Sequence, residues 1–221
     1  MTKKLIIYGA GDFAAHCSKI FESEGRFQVV AYAVDKEFQH SDEFNGRELV
    51  SFNDITRKYP PTDYSMFVAV GYRSMRVREK LYKNAISKGY SLFTYVSDNA
   101  IVSSSVKIGF NNIIMDGVII EHGVLIGNNN IFWSGVTICH DTKIENHSFF
   151  ASRCTVGGES HIKNMCFLGF NSVVIQKIKL ENETLVAACS LVLKNSDQFS
   201  KLIGQPAKVV GTHADIGIKI G

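Results

Sequence analysis

From about residue 102 onward, the chain places a large apolar side chain at every sixth position. Two residues before most of these stands a small side chain. An unbroken hexapeptide register predicts a β-helix, in which the large apolar side chains point inward and fill the core. Fifteen successive positions of the register are apolar: Ile108, Ile114, Ile120, Ile126, Phe132, Ile138, Ile144, Phe150, Val156, Ile162, Leu168, Val174, Leu180, Val186 and Val192.

A second period of eighteen residues confirms the register, because Asn128, Asn146, Asn164 and Asn182 each follow an inward position by two. Eighteen residues are three hexads, so one coil is predicted to have three faces. Asparagine favours turns and tolerates left-handed backbone, and these four are expected to stack along one corner. The register stops after residue 195, where a short helical or irregular cap is expected.

The first 95 residues follow a different pattern, in which strand-like and helix-like segments alternate. Apolar and β-branched runs at 4–8, 27–34, 64–70 and 91–96 predict strands, and helical spacing predicts helices over 13–23 and 74–88. This alternation is typical of a small parallel α/β sheet, here a Rossmann-like domain. The expected organisation is an α/β domain over 1–97, a parallel β-helix over 98–195 and a C-terminal cap over 196–221.

Composition and charge exclude several classes of protein. The net charge of the 221 residues is only +3, with no basic block, which argues against a nucleic-acid partner. The N-terminal apolar run breaks at Gly9, too early for a signal peptide, and no stretch is long enough to span a membrane. The five cysteines lack CxxC spacing and are expected to be reduced thiols in a cytoplasmic protein.

Ligands of parallel α/β sheets bind beyond the carboxyl ends of the strands. The turn GAGDFA (9–14) follows the first predicted strand, but Ala14 stands where the dinucleotide fingerprint has its third glycine. Asp12 could cap the following helix, and it would repel a phosphate, which argues against a full NAD site. A tight turn and a partial nucleotide or sugar contact both remain open. The candidate residues at this edge are Gly9, Gly11, Asp12, Asp35, Gly71, Tyr72 and Arg73.

The stretch VTICHDTKIENH (136–147) carries the candidate chemistry. His140 follows the inward Ile138 by two, so it occupies the hexad position of the corner asparagines on another face. One coil earlier this position is His122, and one coil later it is Gly158. These three residues are therefore predicted to form a row along a corner, about 5 Å apart per coil.

Three interpretations of His140 compete. It is a solvated corner residue, a metal ligand or a general base. The metal interpretation is the weakest, because the sequence supplies no complete ligand set. Imidazole exchanges protons close to neutral pH, Asp141 is expected to make it more basic, and the Gly158 N–H is placed to stabilise an oxyanion. A base with a backbone donor suits acyl transfer.

Three neighbouring residues have weaker claims to chemistry. His147 is expected to belong to a turn, and His161 to face outward. Cys139 is interpreted as structural, because acyl transfer to a bound acceptor needs no covalent intermediate on the enzyme.

Several segments resemble the hexapeptide-repeat sugar acyltransferases of the sialic-acid O-acetyltransferase-like class, which includes the bacterial nucleotide-amino-sugar N-acetyltransferases. The resemblance covers nearly the whole chain. It is carried by GAGDFA (9–14), Asp35, VAVGYRSMR (68–76), WSGVTICHDTKI (133–144), CTVGGESHIKNMCFLGFNSVV (154–174) and GQPAK (204–208).

The resemblance implies a homotrimer of left-handed β-helices that uses acetyl-CoA as co-substrate and no metal. His140 would be the base, Asp141 the acid beside it and Gly158 the donor to the thioester carbonyl. The remaining residues form two implied sets. The nucleotide-sugar set is Gly11, Asp12, Phe13, Asp35, Gly71, Tyr72 and Arg73, and the acetyl-CoA set is Phe149, Gly158, Phe170, Gly204 and Lys208.

The chain departs from the family pattern at three places. Gly11-Asp12-Phe13 replaces Gly-Gly-His, Trp133 replaces an asparagine and Phe149 replaces a histidine. The expected reaction is acetyl transfer from acetyl-CoA to an amino group of a nucleotide-linked amino-deoxy-sugar, with a 4-amino group favoured, for bacterial surface polysaccharide. The alternatives are O-acetylation of a sugar such as sialic acid, and a catalytically weak binding or scaffold protein.

Overall fold

The computed structural model describes residues 3–220, which divide into two compact units. The first unit runs to Gly71 and includes Val77–Phe93, and the second comprises Tyr72–Arg76 and the chain from Thr94 onward. The boundary expected after residue 97 falls after Phe93, because Tyr95–Val96 already pairs with Ile113–Ile114 in the β-helix. Residues 196–220, expected as a separate cap, belong to the second unit. Within the described range, no helix combines the length and hydropathy needed to cross a membrane.

The N-terminal part of the chain confirms the predicted Rossmann-like sheet. Its five strands lie in the order β3-β4-β2-β1-β5, and all neighbours are parallel except the β3–β4 pair. The elements, in chain order, are β1 (Lys3–Tyr8), α1 (Asp12–Ser23), β2 (Phe27–Val34), β3 (Glu43–Phe44), β4 (Arg47–Ser51), α2 (Ile55–Lys58), β5 (Ser65–Val68) and α3 (Met75–Ser87), with a 3₁₀ turn at Lys36–Phe38.

The sequence pattern missed β3, β4 and α2. The segment RELVS of β4 buries only Leu49 and Val50, so its apolar run was too short to indicate a strand. The strand expected over 91–96 divides instead: Leu92 forms an isolated bridge with Met66, and Tyr95–Val96 joins the β-helix. Two of these short strands, β4 and Tyr95–Val96, are completed by pairing with β2 and with Ile113–Ile114.

The second unit confirms the hexapeptide register. Each short strand pairs in parallel with the strand eighteen residues later, as Ile120 does with Ile138. Fourteen of the fifteen inward positions are buried, and Ile108 in the first coil is half-buried. The strands are β6 (Tyr95–Val96), β7 (Ile101–Val102), β8 (Lys107–Ile108), β9 (Ile113–Ile114), β10 (Ile119–Ile120), β11 (Leu125–Ile126), β12 (Ile131–Phe132), β13 (Thr137–Ile138), β14 (Lys143–Ile144), β15 (Phe149–Phe150), β16 (Thr155–Val156), β17 (His161–Ile162), β18 (Phe167–Leu168), β19 (Val173–Val174), β20 (Lys179–Leu180), β21 (Leu185–Val186) and β22 (Leu191–Val192).

The three faces of the coil differ in their outward side chains. The aliphatic face (β7, β10, β13, β16, β19, β22) presents isoleucine, threonine, valine and leucine, and the charged face (β8, β11, β14, β17, β20) presents mainly lysine and histidine. The aromatic face (β6, β9, β12, β15, β18, β21) is largely covered, since the Tyr72 ring packs 4.8 Å from Phe149 and 6.0 Å from Phe167 between ring centroids. This unit is a left-handed parallel β-helix, as expected.

The expectation of a helical or irregular cap is wrong. The chain after residue 195 forms two antiparallel strands, β23 (Ser200–Gly204) and β24 (Ala207–Thr212). β23 pairs in parallel with β21, so it supplies backbone partners to the open edge of the last coil. The following residues are fastened to the same coil by Arg76. Its guanidinium pairs with the buried Glu183 at 3.0 Å and donates to the Ala214 carbonyl at 2.8 Å.

The corner asparagines stack as predicted. The backbone N–H of Asn128 donates to Asn146 Oδ1 at 2.8 Å, and the same bond recurs from Asn146 to Asn164 and from Asn164 to Asn182 at 3.1 Å. The left-handed residue of each turn, however, is the one that follows the asparagine. These residues are Asn129, His147, Met165 and Glu183, with φ between 53° and 64°.

Candidate active site

His140 lies on the corner that follows the aliphatic-face strand β13. Its ring stacks on that of His122 one coil below, with centroids 5.5 Å apart and planes within 10°. The Nδ1 atom lies 3.1 Å from Asp141 Oδ2, and 44% of the His140 side chain is exposed. The predicted row of His122, His140 and Gly158 is therefore present, and the base candidate is open to solvent.

Two glycines make room for this pair. A Cβ at Gly158 would lie 2.7 Å from His140 Nε2, and a Cβ at Gly123 would lie 2.2 Å from Asp141 Oδ1. The backbone of Gly158 lies outside the left-handed region, so close packing against the imidazole, rather than its φ angle, requires glycine there. The imidazole thus sits directly against the Gly158 backbone.

The backbone N–H of Gly158 lacks the partner that its counterpart one coil below has. The N–H of His140 donates to Glu121 Oε2 at 2.8 Å. Eighteen residues after Glu121 stands Cys139, which offers no carboxylate. Among the described residues, no hydrogen bond from the Gly158 N–H is found. A base next to an uncommitted backbone donor is an arrangement that can bind an oxyanion while it removes a proton.

A shallow cavity lies on the N-terminal side of this corner. Its volume is about 470 Å³, and its walls are mostly aliphatic: Ile101, Val102, Ser103, Ile119, Ile120, Glu121 and His122. His140 therefore has the cavity one coil below it and the Gly158 N–H one coil above it.

Cys139 does not have the features of a nucleophile. Burial raises the pKa of its thiol, and the Glu121 carboxylate raises it further, so the thiolate is disfavoured at neutral pH. His147 and His161 also have the expected structural places. His147 is buried in a left-handed turn with Nδ1 2.9 Å from Asn129 Nδ2, and His161 Nε2 lies 2.7 Å from Glu145 Oε1 on the charged face.

The same corner holds three side chains that could ligate a metal. Ligand atoms of His122, His140 and Asp141 all lie within 4.8 Å of one another. Tetrahedral zinc with Zn–N bonds of 2.0–2.1 Å needs donor atoms about 3.3 Å apart. The two imidazole rings are stacked face to face, so they do not aim at a common point, and metal independence stays a prediction.

Apart from Gly158, the residues expected to bind acetyl-CoA lie on other parts of the same chain. Phe149 is buried on the aromatic face, whereas Phe170 is 58% exposed at the corner that follows this face. The Cys189 N–H donates to the Phe170 carbonyl at 2.8 Å, and Gln205, between β23 and β24, donates to the Cys189 carbonyl. Gly204 is the last residue of β23, and Lys208 is exposed in β24. On one chain, His140 and Phe170 therefore lie on different corners of the coil.

The first unit brings together most of the residues expected to bind the nucleotide sugar. Gly11 is the N-cap of α1, and Asp12 is the first helical residue without a side-chain capping bond, so Asp12 is not the cap. A Cβ at Gly71 would lie 3.9 Å from that of Phe13, and Asp35 accepts a hydrogen bond from the Tyr8 hydroxyl. Tyr72 and Arg73 belong to the second unit.

Sequence reasoning missed two residues of these sites, Tyr8 and Glu121. In the sequence pattern, Tyr8 is only the last residue of an apolar strand. The hydrogen bond from its hydroxyl to Asp35 depends on the register of β1 beside β2. The position of Glu121 could be predicted from the period of eighteen. Glu121 lies one coil before Cys139 and directly beside His122, so its side chain is placed next to His140.

Two family models match separate parts of the chain. Residues 4–85 match the PglD N-terminal domain, and residues 93–199 match the GMPPB C-terminal domain. A comparison with curated proteins by sequence found no match.

Several solved structures share this fold. The acetyltransferase domain of PglB from Neisseria gonorrhoeae in complex with acetyl coenzyme A is 18% identical with a TM-score of 0.84, covering 95% of this chain and 100% of that one. A histidine variant of perosamine N-acetyltransferase from Caulobacter crescentus, in complex with CoA and GDP-perosamine, is 24% identical (TM-score 0.85, coverage 96% and 98%). WeeI from Acinetobacter baumannii is 20% identical (TM-score 0.83, coverage 95% and 100%).

These likenesses confirm the fold and the resemblance described from the sequence. The chain shares its fold, a Rossmann-like N-terminal domain before a left-handed β-helix, with the acetyltransferase domain of PglB and with perosamine N-acetyltransferase.

Proposed function

We propose that this protein is an acetyl-CoA-dependent N-acetyltransferase that acts on a nucleotide-linked amino-deoxy-sugar. A 4-amino acceptor is favoured, and the product serves bacterial surface polysaccharide. The observation that carries this proposal is the corner where His140, paired with Asp141, lies against the unpaired N–H of Gly158. The names of two solved relatives with the same fold, PglB and perosamine N-acetyltransferase, support it.

His140 acts as the general base in this mechanism. Its Nδ1 is engaged by Asp141, which leaves Nε2, beside Gly158, to take a proton from the sugar amine. The amine nitrogen attacks the thioester carbonyl carbon, a C–N bond forms, and the C–S bond breaks. The CoA thiolate leaves and is protonated, so no covalent enzyme intermediate is needed. A general base of this kind contributes about 10²–10⁴ in rate.

Gly158 stabilises the transition state through its backbone. Its N–H donates a hydrogen bond to the oxyanion that develops on the thioester oxygen as the amine attacks. A single preorganised donor of this type is worth about 10²–10³ in kcat. The first unit holds the nucleotide sugar with Gly11, Phe13, Asp35 and Gly71, which lie at the carboxyl ends of its strands.

A homotrimer completes the site in this proposal. The His140 corner and the Phe170 corner are separate on one chain, so they meet only if one copy packs beside the next. Away from the cavity, the aliphatic face supplies a suitable contact surface, where Val173 is 37% exposed. Burial of apolar area stabilises association by about 25 cal/mol per Å² before entropic costs.

Light scattering with a matched pair of variants tests the trimer. Val173→Glu places a charge on the aliphatic face and is expected to give monomers without activity. Lys107→Glu places the same side chain on the exposed charged face and is expected to leave both mass and activity unchanged. A monomeric mass for the wild-type protein at micromolar concentration contradicts a site shared between copies.

The activity is tested with a panel of nucleotide-linked amino sugars and acetyl-CoA, monitored by release of the CoA thiol. Mass spectrometry and NMR of the product identify the acetylated atom. Acetylation of an amine supports the proposal, and acetylation restricted to hydroxyl groups replaces it with O-acetyltransfer. Binding of nucleotide sugars without transfer from any acyl-CoA contradicts enzymatic function and supports the binding-protein alternative.

A further inference from the structure

Glu121 stands at the border between the cavity and the candidate base. Its Oε2 accepts a hydrogen bond from the His140 N–H at 2.8 Å. It is also the single carboxylate among the seven residues that line the cavity below His140. The same side chain thus touches the backbone of the base and the wall of the space beneath it.

Only one oxygen of this carboxylate is used by the fold. Among the described residues, no hydrogen bond to Oε1 is found, whereas Oε2 holds the His140 backbone. The oxygen of a neutral amide in the same place would also accept the His140 N–H, through a weaker bond. The second carboxylate oxygen is open to a ligand, and the charge acts on the corner, since it adds to the raised pKa of Cys139.

A carboxylate in this place distinguishes an amine from a hydroxyl. Aliphatic amines are largely protonated at neutral pH, whereas sugar hydroxyls carry no charge. A carboxylate attracts an ammonium group, whereas a neutral hydroxyl offers no net charge to attract. Charge-assisted hydrogen bonds are also roughly twice as strong as neutral ones.

We infer that Glu121 is a specificity-determining residue that binds the ammonium form of the acceptor. It draws the amino group into the cavity next to His140, and a sugar with a hydroxyl at that position lacks this interaction. After the ammonium releases one proton to solvent, the neutral amine is the nucleophile. This inference rests on the proposed function, because it names the residue that selects an amine as acceptor.

Calorimetric binding in the absence of acetyl-CoA tests the inference. The probes are the amino sugar that reacts fastest in the panel, or GDP-perosamine if none reacts, and its counterpart with a hydroxyl in place of the amine. The wild type is expected to prefer the amine by about tenfold. Glu121→Gln is expected to lose that preference by weakening the amine form alone.

Two controls separate this role from others. Glu145→Gln, on the charged face, is expected to change neither affinity. A Glu121→Gln variant with lowered kcat and unchanged affinities overturns the inference, because it assigns Glu121 to holding His140 only. Equal binding of the two probes by the wild type, including no binding of either, also overturns it.

The calorimetric result stands apart from the reaction itself. If the wild type binds the amine probe more tightly but transfers no acetyl group, the proposed function is contradicted and the role of Glu121 is not. Acetyl transfer by the wild type with unchanged affinities in Glu121→Gln sinks only the role of Glu121.

Discussion

Two corners of the same β-helix occupy equivalent hexad positions and serve different purposes. On the asparagine corner, each side-chain amide accepts the backbone N–H of the coil below and bonds the next amide above. On the histidine corner, Glu121 accepts a hydrogen bond from the His140 N–H. One coil later its position is taken by Cys139, which offers no acceptor, and among the described residues the N–H of Gly158 has no partner. The asparagine corner uses its hydrogen-bonding groups for the fold, and the histidine corner leaves a base and a donor available.

The comparison shows how a repeat can host chemistry without an inserted loop. Neighbouring coils repeat the same backbone geometry. A few changes of side chain in adjacent rows are therefore enough to create the histidine corner. A glycine above the histidine removes the side chain that would displace the ring, and a glycine below the aspartate does the same for its carboxylate. Substitutions on the histidine corner are therefore expected to lower kcat, and substitutions on the asparagine corner to lower the free energy of unfolding.

The largest effect is expected for His140→Ala. Loss of the general base lowers kcat for acetyl transfer by about 10²–10⁴, while the melting temperature stays unchanged because the ring is exposed. His161→Ala removes a histidine with a carboxylate partner from the charged face and should keep full activity. Activity of His140→Ala within a few-fold of the wild type shows that this corner is only a solvated surface.

Gly158→Ala is expected to have the next largest effect. The added Cβ would lie 2.7 Å from His140 Nε2, so the ring or the coil must shift. Misplacement of a catalytic group by about 1 Å can cost about 10²-fold in kcat. Gly211→Ala, where a Cβ meets nothing within 4 Å, is the matched control. Wild-type kinetics in Gly158→Ala, measured by thiol release, argue against close packing of base and backbone as a requirement.

Asn146→Ala moves the comparison to the other corner. The substitution leaves the Asn128 N–H without its acceptor and removes one of the two donors to Asn164 Oδ1, which is expected to cost about 2 kcal/mol in the free energy of unfolding. Urea unfolding at fixed protein concentration measures this cost, with the exposed Asn53→Ala as control. The kcat of the folded enzyme should not change, and a large loss of kcat means that the two corners are not independent.

The smallest effect is expected for Asp141→Asn. Asparagine tolerates the left-handed backbone of this position, where φ is 54°, so the fold is kept. The carboxylate and the imidazole are 55% and 44% exposed, and solvent screens their attraction. The kcat is therefore expected to fall by no more than about fivefold. A loss as large as that of His140→Ala would show that Asp141 does more than stabilise a protonated imidazole.

Much of the fold could be predicted because its sequence signals are local and periodic. Ile138 and its counterparts are inward wherever the period of six holds, since each strand faces the same core. The strands β3 and β4 and the hairpin β23–β24 could not be predicted in this way. They fall outside the period of six and have no long apolar run of their own, and their places depend on pairing, of β4 with β2 and of β23 with β21.

The sequence by itself determined the register, the row of His122, His140 and Gly158 and the stacking of the asparagines, because a regular coil converts spacing into position. The tertiary structure decided what spacing does not encode. It decided which oxygen of Glu121 is occupied and that the Gly158 N–H is unpaired. These features depend on side-chain contacts between coils, and only the folded chain fixes them.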